Sequence, residues 1–588
     1  MRSEDHHLPG TETRCHYYYA PVDGPSPTPV DPPAFVPARA RDPKLRGLRI
    51  FAIAFVVFFG AGAIWSAATP LLGAPDEPSQ IIKAASVVRG VWTAYCWVDA
   101  SFRGGTGGPE GCPFVDPSNA YGFEEGLPQF YDLVRSPDLD PAHSQSFDEA
   151  HSQVCFTHAK GVIPASCARS LDRSPTAVDV VHGYTKFNQT YQARYPPEYY
   201  AVVGLPSLFD GSTIDLYLMR LVSAALSAIF LALAFTSAVI YSRNRLIILG
   251  LALAVTPMVF FLGAVVNSSG LECSTAIAFW TAGVILFTER LATPPRGLIA
   301  IAAFSAAAFE SARALSPFWL GLSALALLAC VNWTELKHGL RQRSLWFGTA
   351  FVVVFGALAV WWIVAEHATD LYFAKNPGLP ASVSTSTILR VAFERNSFYL
   401  PDMVGVFGWF DTYAPVVTYV IWYSLVFLAM IGVAIRSMRR GIVLITMFVA
   451  LLVLPAIIET SHAHTYGYTW SGRDALPFAV GLPILAAATL GSPGKRPQFA
   501  VFTKRATPYC IVALGLAQLL AFYESVRRYA VGTTGALFGF LAHLDWQPAI
   551  SNIGAIVLEI VALSALGALY LWSFRQASNA PTATSRVP

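Results

Sequence analysis

Charged residues are scarce in this sequence of 588 residues. Asp, Glu, Lys and Arg together make up 13% of the chain, whereas apolar residues make up 54%. An ordinary soluble domain carries about 25% charged residues, so this composition excludes a chain that folds wholly in water. The formal net charge of +3 is spread over short loops rather than gathered in one patch, which argues against a nucleic-acid-binding protein. The composition indicates a polytopic membrane protein.

Cysteine is also scarce, and the spacing of the eight cysteines does not suggest a zinc site. Four of them, Cys96, Cys112, Cys155 and Cys167, fall in one long loop. An even number of cysteines in an oxidising compartment predicts two disulfides, whose pairing the sequence does not fix. The chain has no convincing internal repeat. Transporters usually have such repeats.

Apolar stretches recur along the chain at the length that crosses a hydrocarbon core, which takes about 20 helical residues. They predict an all-α membrane protein with about twelve transmembrane helices. The stretches run approximately over residues 49–71, 217–241, 246–265, 269–288, 297–312, 316–333, 346–366, 415–435, 441–458, 474–490, 506–525 and 549–572.

Basic residues fall in alternate loops between these stretches. One cluster precedes the first stretch, Arg243 and Arg245 follow the second, and Arg575 follows the last. Short loops that stay in the cytoplasm are rich in Lys and Arg, so both termini are expected in the cytoplasm and the long loop 73–215 outside. A long polar segment ahead of a full-length apolar stretch is not the pattern of a cleavable signal peptide. We therefore expect a multi-pass protein of the cytoplasmic membrane.

The sequence divides into four parts. Residues 1–47 form a proline-rich cytoplasmic tail, which is predicted to be disordered. Residues 48–490 form a transmembrane core that includes the extracytoplasmic loop 73–215. Residues 491–573 hold the C-terminal transmembrane helices, and residues 574–588 form a cytoplasmic tail.

Two adjacent carboxylates, Asp76 and Glu77, directly follow the first apolar stretch. Ionisable side chains at the edge of a membrane are costly to keep and indicate a functional site. The residues after Glu77 carry apolar positions at helical spacing, so Asp76 and Glu77 are equally well placed to cap the N-terminus of an amphipathic helix. The spacing alone leaves catalysis and capping open.

Other polar and aromatic residues lie near the outer ends of the predicted helices. An arginine there either extends its charge to the interface or binds a phosphate with its guanidinium, and the aromatic residues are either membrane anchors or a platform for a sugar. The candidate binding residues are Tyr195, Tyr200, Asn267, Glu272, Arg313, Asp411 and Arg473.

The order of these motifs resembles the bacterial domain-of-unknown-function (DUF) 2142 family over about residues 50 to 490. Three positions depart from the family pattern: Gln80 and Tyr195 stand where histidine is common, and Asp474 where tyrosine is usual. The motifs are Pro75-Asp76-Glu77-Pro78, Arg89-Gly90, Pro196-Pro197 with Tyr200, Asn267 to Gly270, Arg313 to Pro317, Gly408-Trp409-Phe410-Asp411, and Gly472-Arg473 with Pro477.

The resemblance implies a GT-C-like transmembrane core, because the family is similar in architecture to GT-C glycosyltransferases, which use polyprenyl-phosphate-linked sugars. It implies transfer of a sugar to a glycan or lipid of the bacterial cell envelope at the outer face. Asp76 is the expected general base and Glu77 its orienting or metal-binding neighbour, although the order of the two stays open. Arg473 and Arg313 are expected to stabilise the leaving phosphate. A divalent cation, Mg²⁺ or Mn²⁺, is left open, and no other cofactor is implied.

Two other functions fit a chain of this kind. A transporter or lipid flippase would have a similar number of spans, but its polar groups usually lie near the bilayer midplane, whereas here they gather at one face. A non-catalytic scaffold for envelope assembly would tolerate replacement of both carboxylates without effect.

Overall fold

The structure is a computed structural model in which the chain divides into two compact units. The first is Met1–Arg46, of which only the first turn of helix α1 is described, and the second is Gly47–Pro588. The predicted disordered tail up to residue 42, the four loop cysteines and the C-terminal tail after residue 576 lie outside the described residues, whereas residues 43–47 and 574–576 belong to helices. Described are residues 43–90, 92, 165, 192, 195–209, 213–289, 291, 293–331, 337, 340–366, 368, 378–492, 497–538, 541 and 546–576.

The described chain is helical apart from one short hairpin. The helices of the first half are α1 (Pro43–Ala68), α2 (Glu77–Val87), α3 (Glu198–Val203), α4 (Thr213–Ile240), α5 (Leu246–Ala254), α6 (Pro257–Gly263), α7 (Ser268–Thr288), α8 (Arg296–Glu310) and α9 (Ser316–Cys330). Those of the second half are α10 (Arg343–Ala365), α11 (Thr385–Glu394), α12 (Asn396–Gly405), α13 (Val416–Arg436), α14 (Met438–Tyr466), α15 (Leu476–Ala479), α16 (Gly481–Leu490), α17 (Pro497–Val531) and α18 (Asn552–Gln576).

Every predicted apolar stretch is helical, but the count of twelve full spans is not confirmed. Among the described residues, eight helices are long and apolar enough to cross a membrane, or nine if the bent pair α5 and α6 forms one span. Helices α8 and α9 have 15 residues each, which corresponds to roughly 22 Å against a core of about 30 Å. The stretch 474–490 is divided between α15 and α16.

Helix α7 lies at the centre of the molecule and packs against α4, α8 and α16. Its most apolar window is 83% buried, whereas that of α10 is 11% buried, which places α10 at the periphery. Close packing at the centre depends on Gly481, because a Cβ atom there would meet the Trp280 ring at 2.3 Å. The core residue Trp65 of α1 packs edge-on against the rings of Phe261 and Phe522.

The span formed by α5 and α6 is bent by 59° at Val255 and Thr256. Pro257 begins α6 and, having no backbone N–H, cannot continue the hydrogen-bond ladder of α5. The carbonyl of Leu253 instead accepts from Trp422 Nε1 and that of Val255 from Gln518 Nε2, both at 2.8 Å. The hydroxyl of Thr256 donates to a carbonyl of α12 at 3.0 Å. Side chains from other helices therefore satisfy the backbone at the break.

A two-residue antiparallel hairpin follows α12. Strand β1 (Val406–Phe407) pairs with β2 (Thr412–Tyr413). The turn between them contains Gly408 and Phe410, both with φ of 63°. This turn places Trp409 against Leu72, in the segment that connects α1 to α2, and Phe410 against Arg473.

Candidate active site

Asp76 lies between α1 and α2 and forms an ion pair with Arg473. The Asp76 side chain is 20% exposed and that of Arg473 is 8% exposed, so the pair sits at the edge of the protein interior. Asp76 occupies the N-cap position of α2, but its carboxylate makes no capping hydrogen bond to that helix. Its contact with Arg473, rather than capping, orients this carboxylate.

The backbone around Asp76 is strained. Leu72, Asp76 and Phe410 have φ values of 62°, 65° and 63°, and they are three of the four non-glycine residues with positive φ in the described ranges. A left-handed conformation costs a non-glycine residue about 1–2 kcal/mol. The indole of Trp409 donates to the Leu72 carbonyl at 3.1 Å and ties the two strained segments together. Clustered strain of this kind is characteristic of functional sites.

Glu77 has different surroundings from its neighbour. Its carboxylate accepts two hydrogen bonds from Arg220, each of 2.6 Å, and one from the backbone of Val266 at 3.2 Å. Both side chains of the Glu77–Arg220 pair are completely buried. Glu77 therefore joins α2 to α4 and to the segment that precedes α7, and its carboxylate contacts protein groups.

Arg220 completes this junction by binding the end of α1. Its remaining N–H groups donate to three backbone carbonyls, at distances of 2.7 to 3.1 Å. The acceptors belong to Ser66, Thr69 and Pro70. The guanidinium thus satisfies carbonyl groups that the end of a helix leaves unpaired.

The Glu77–Arg220 contact bears on the divalent cation that the sequence left open. A metal ion shared by Asp76 and Glu77 would need carboxylate oxygens from both residues, but those of Glu77 are engaged by Arg220. No group of three or more His, Cys, Asp or Glu suited to a metal occurs in the described part of the chain. The acidic pair does not fit a shared cation, and we assign no chemical step to one.

Arg473 lies in a short 3-10 turn, Gly472–Asp474, ahead of α15. Its Nε donates to Ser471 at 3.2 Å, and its guanidinium stacks on the Phe410 ring at 5.0 Å. Its Nη1 is buried and has no hydrogen-bond partner among the described residues. A buried guanidinium nitrogen without an acceptor costs free energy, so this atom is positioned to bind an incoming anion.

Two buried carboxylates hold the backbone of the segment that carries Arg473. Asp402 of α12 accepts from the backbone of Gly472 and, at 3.2 Å, from that of Arg473. Glu459 of α14 accepts from the backbone of Trp470 at 2.8 Å. Gly472 is required here, because a Cβ atom would lie 2.0 Å from a carbonyl of α12. The position of Arg473 is fixed from both sides.

The pKa of Asp402 predicts a pH-dependent stability. Burial raises this pKa to about 7, against the opposing effect of Arg473. The folded protein then holds a proton that the unfolded chain releases near pH 4, so this contribution to stability declines as the pH rises from about 4 to 7. We expect the difference between the melting temperatures of Asp402→Asn and wild type to become more favourable to Asp402→Asn as the pH rises from 5 to 8. A constant difference across that range would contradict the raised pKa.

Arg313 forms a second charged cluster beside Arg473. Its Nη1 lies 2.8 Å from Asp474 and 3.4 Å from Glu272, and its guanidinium packs 5.8 Å from the Tyr195 ring. Burial alone would raise the pKa of Asp474, but Arg313 and Arg473 together hold it below its usual value. Asp474 therefore joins the two arginines by charge.

Two other predicted binding residues, Tyr200 and Asn267, form hydrogen bonds with protein groups in and near the acidic motif. Tyr200 is fully buried and donates to Gln80. Asn267 caps α7 by accepting from Ser269 at 2.9 Å, and its amide donates to the Pro75 carbonyl at 3.1 Å. These contacts hold the acidic motif and the start of α2 in place.

Asp411 performs a similar supporting function at the hairpin. It accepts from Arg528 of α17 at 2.6 Å and from the Thr412 hydroxyl at 2.8 Å. Its side chain is only 7% exposed. The pair fixes the turn that places Phe410 against Arg473.

The structure brings together five of the nine predicted site residues: Asp76, Arg473, Arg313, Glu272 and Tyr195. The other four surround and support them. Three of the residues that hold these groups in place, Arg220, Glu459 and Arg528, were not predicted from the sequence. Of these, Arg220 lies within a predicted apolar stretch, 217–241, where a charged residue is itself a signal of function.

Comparison with known proteins gave one family and one structural similarity. The chain is similar to the structure of ArnT from Cupriavidus metallidurans in the apo state, with 14% identity, a TM-score of 0.31, and coverage of 64% of this chain and 67% of that chain. No curated protein matched. The family model described as "Predicted membrane protein (DUF2142)" matches residues 141–482. This range is narrower than the expected 50 to 490, and Asp76 and Glu77 lie outside it. Since the match covers more than half of the sequence, this helical membrane protein belongs to the DUF2142 family.

Proposed function

We propose that this protein is a glycosyltransferase of the bacterial cytoplasmic membrane, with both termini in the cytoplasm. It moves a sugar from a polyprenyl-phosphate donor to a glycan or lipid acceptor of the cell envelope at the outer face. The observation that carries the proposal is the Asp76–Arg473 pair, which joins a partly exposed carboxylate to a guanidinium with one unpartnered nitrogen among the described residues. A general base and a phosphate-binding group are the two parts that such a transfer needs.

Asp76 is the proposed base. In the reaction, an acceptor hydroxyl attacks the anomeric carbon of the donor sugar and passes its proton to the Asp76 carboxylate. The bond between the anomeric carbon and the phosphate oxygen breaks, and its electron pair leaves with polyprenyl phosphate. The 20% exposure of Asp76 allows contact with an acceptor, whereas the buried Glu77 does not have this access.

Arg473 is the proposed ligand of the leaving phosphate. Its guanidinium is held by Ser471, Phe410 and Asp76, so little reorganisation is needed when negative charge develops. Arg313 lies in the adjacent cluster, and its Nε is a second buried guanidinium nitrogen without a hydrogen-bond partner in the described ranges. The two arginines together provide donors for a phosphate group.

The donor is proposed to be lipid-linked because nucleotide sugars are not normally present outside the cytoplasmic membrane. A polyprenyl chain would stay in the hydrocarbon while its phosphate meets the charged groups at the outer ends of the helices. The acidic motif follows α1, a candidate membrane span. It would therefore lie at the edge of the membrane, which is where the head group of such a donor lies.

The proposal is tested by sugar transfer with the full-length protein in lipid nanodiscs. Radiolabelled polyprenyl-phosphate sugars are supplied with an envelope glycolipid fraction, and both the labelled product and the released polyprenyl phosphate are measured. Arg473→Lys keeps the charge but loses the guanidinium fork, so we expect turnover to fall by about tenfold to a hundredfold. The matched control is Arg527→Lys, since Arg527 has a similar exposure of 9% and also pairs with a carboxylate, Glu524.

Sugar transfer that is slowed by Arg473→Lys but not by Arg527→Lys would support the proposed enzyme activity. Movement of the intact donor across the bilayer of sealed proteoliposomes, with no bond cleavage, would instead identify a flippase. Transfer at the wild-type rate by the well-folded Arg473→Lys protein would refute the proposed phosphate site.

A further inference from the structure

A groove with a volume of about 670 Å³ lies between the N-terminal parts of α8 and α10. It lies along the N-terminal part of α8, whereas Arg313 follows the C-terminal end of that helix, and neither helix contributes Asp76 or Arg473. By the alternation of basic loops, these helix starts face the cytoplasm, whereas the charged clusters described above lie at the outer face. The groove therefore serves a purpose other than sugar transfer.

The walls of the groove are apolar. Helix α8 contributes Ile299, Ala303 and Phe304, and helix α10 contributes Phe347 and Phe351. Phe304 is 51% exposed and Phe347 is 75% exposed, as expected for side chains that face hydrocarbon at the periphery. The lining extends about eight residues along each helix, which is roughly 12 Å at 1.5 Å per residue. A slot of this depth and chemistry suits part of an acyl chain.

The mouth of the groove is positively charged. Arg296 and Arg343 line it, and each lies in the first turn of its helix. Neither helix has an acidic residue in its first turn or a side-chain cap hydrogen bond. Basic residues at the positive end of a helix dipole are unfavourable unless an anion compensates them. The charge at the mouth therefore complements a negatively charged head group.

We propose that this groove binds an anionic phospholipid of the cytoplasmic leaflet. The phosphate lies between Arg296 and Arg343, and an acyl chain follows the apolar wall between Ile299 and Phe351. Basic pockets between transmembrane helices on the cytoplasmic side are a known mode of anionic lipid recognition. The site is separate from sugar transfer and does not depend on the proposed enzyme activity.

The test is native mass spectrometry of the delipidated full-length protein after addition of phosphatidylglycerol or of phosphatidylcholine with the same acyl chains. We expect phosphatidylglycerol to bind in preference. The double variant Arg296→Gln with Arg343→Gln should weaken phosphatidylglycerol binding by about 30-fold. Ala300→Phe, which adds a ring inside the groove without removing a charge, should weaken binding of both lipids.

Arg575→Gln is the control, because Arg575 is exposed in the last turn of α18 and does not line the groove. Equal retention of the two lipids by wild type would overturn the proposal. An undiminished preference for phosphatidylglycerol in the double variant, or a loss of equal size in Arg575→Gln, would overturn it as well.

Discussion

Replacement of Asp76 by asparagine is expected to lower the rate of sugar transfer by about 10²- to 10⁴-fold, the usual contribution of a positioned general base. Asparagine is nearly the same size as aspartate and tolerates a left-handed backbone, so the strained turn at φ 65° should be retained. Its amide cannot accept the proton of the acceptor hydroxyl. The measurement is turnover in nanodiscs at saturating donor, together with the melting temperature.

Glu524→Gln provides the control for Asp76→Asn. The Glu524 side chain is 14% exposed and forms an ion pair with Arg527, so the substitution removes a carboxylate of similar exposure and pairing. We expect the Glu524→Gln protein to transfer sugar at the wild-type rate. Full activity in Asp76→Asn would remove Asp76 from the mechanism and leave it as a residue that orients Arg473.

Glu77→Gln is expected to destabilise the protein by about 3–5 kcal/mol, because breaking a buried ion pair leaves the other charge uncompensated. Arg220 is completely buried and would keep its charge beside a neutral amide. Its hydrogen bonds to the carbonyls of Ser66, Thr69 and Pro70 would remain, but these are neutral acceptors. The measurement is the unfolding midpoint in detergent, and a large decrease is expected even in the absence of substrate.

The Glu77 prediction also separates the two adjacent carboxylates. Glu524→Gln breaks a partly exposed pair and should cost no more than about 1 kcal/mol. If Glu77→Gln left the midpoint unchanged but abolished transfer, Glu77 would be the base and the structural interpretation of the Arg220 contact would be wrong. The expected pattern is the opposite, with Asp76→Asn stable and inactive and Glu77→Gln unstable.

The helices of this protein could be predicted from its sequence because long apolar stretches have few alternatives in a membrane. Their lengths were less predictable. The stretch 297–312 forms a helix of only 15 residues, which ends at Glu310. The stretch 246–265 reads as one span by hydropathy, although Thr256-Pro257 marks the break, since proline cannot extend the ladder. Composition predicts which segments are helical, whereas single residues decide where they end.

The site could be predicted only in part. The sequence identified Asp76, Arg473 and Arg313, because charge near the end of an apolar stretch is rare. It could not separate Asp76 from Glu77, since adjacent residues have the same local pattern. Their difference arises from Arg220, a residue 143 positions away. Pairing over such distances depends on how α2 and α4 pack, which hydropathy does not encode.

The bend between α5 and α6 has a consequence for the motions of the protein. A broken helix often acts as a hinge, but here the freed carbonyls of Leu253 and Val255 are bound by Trp422 and Gln518. Rotation at Thr256 would break both hydrogen bonds and the contact to α12. The break therefore acts as a rigid brace between the segment that holds Arg473 and the helices beneath it. Entry of the proposed lipid-linked donor would have to be accommodated by elements that are not anchored to this brace.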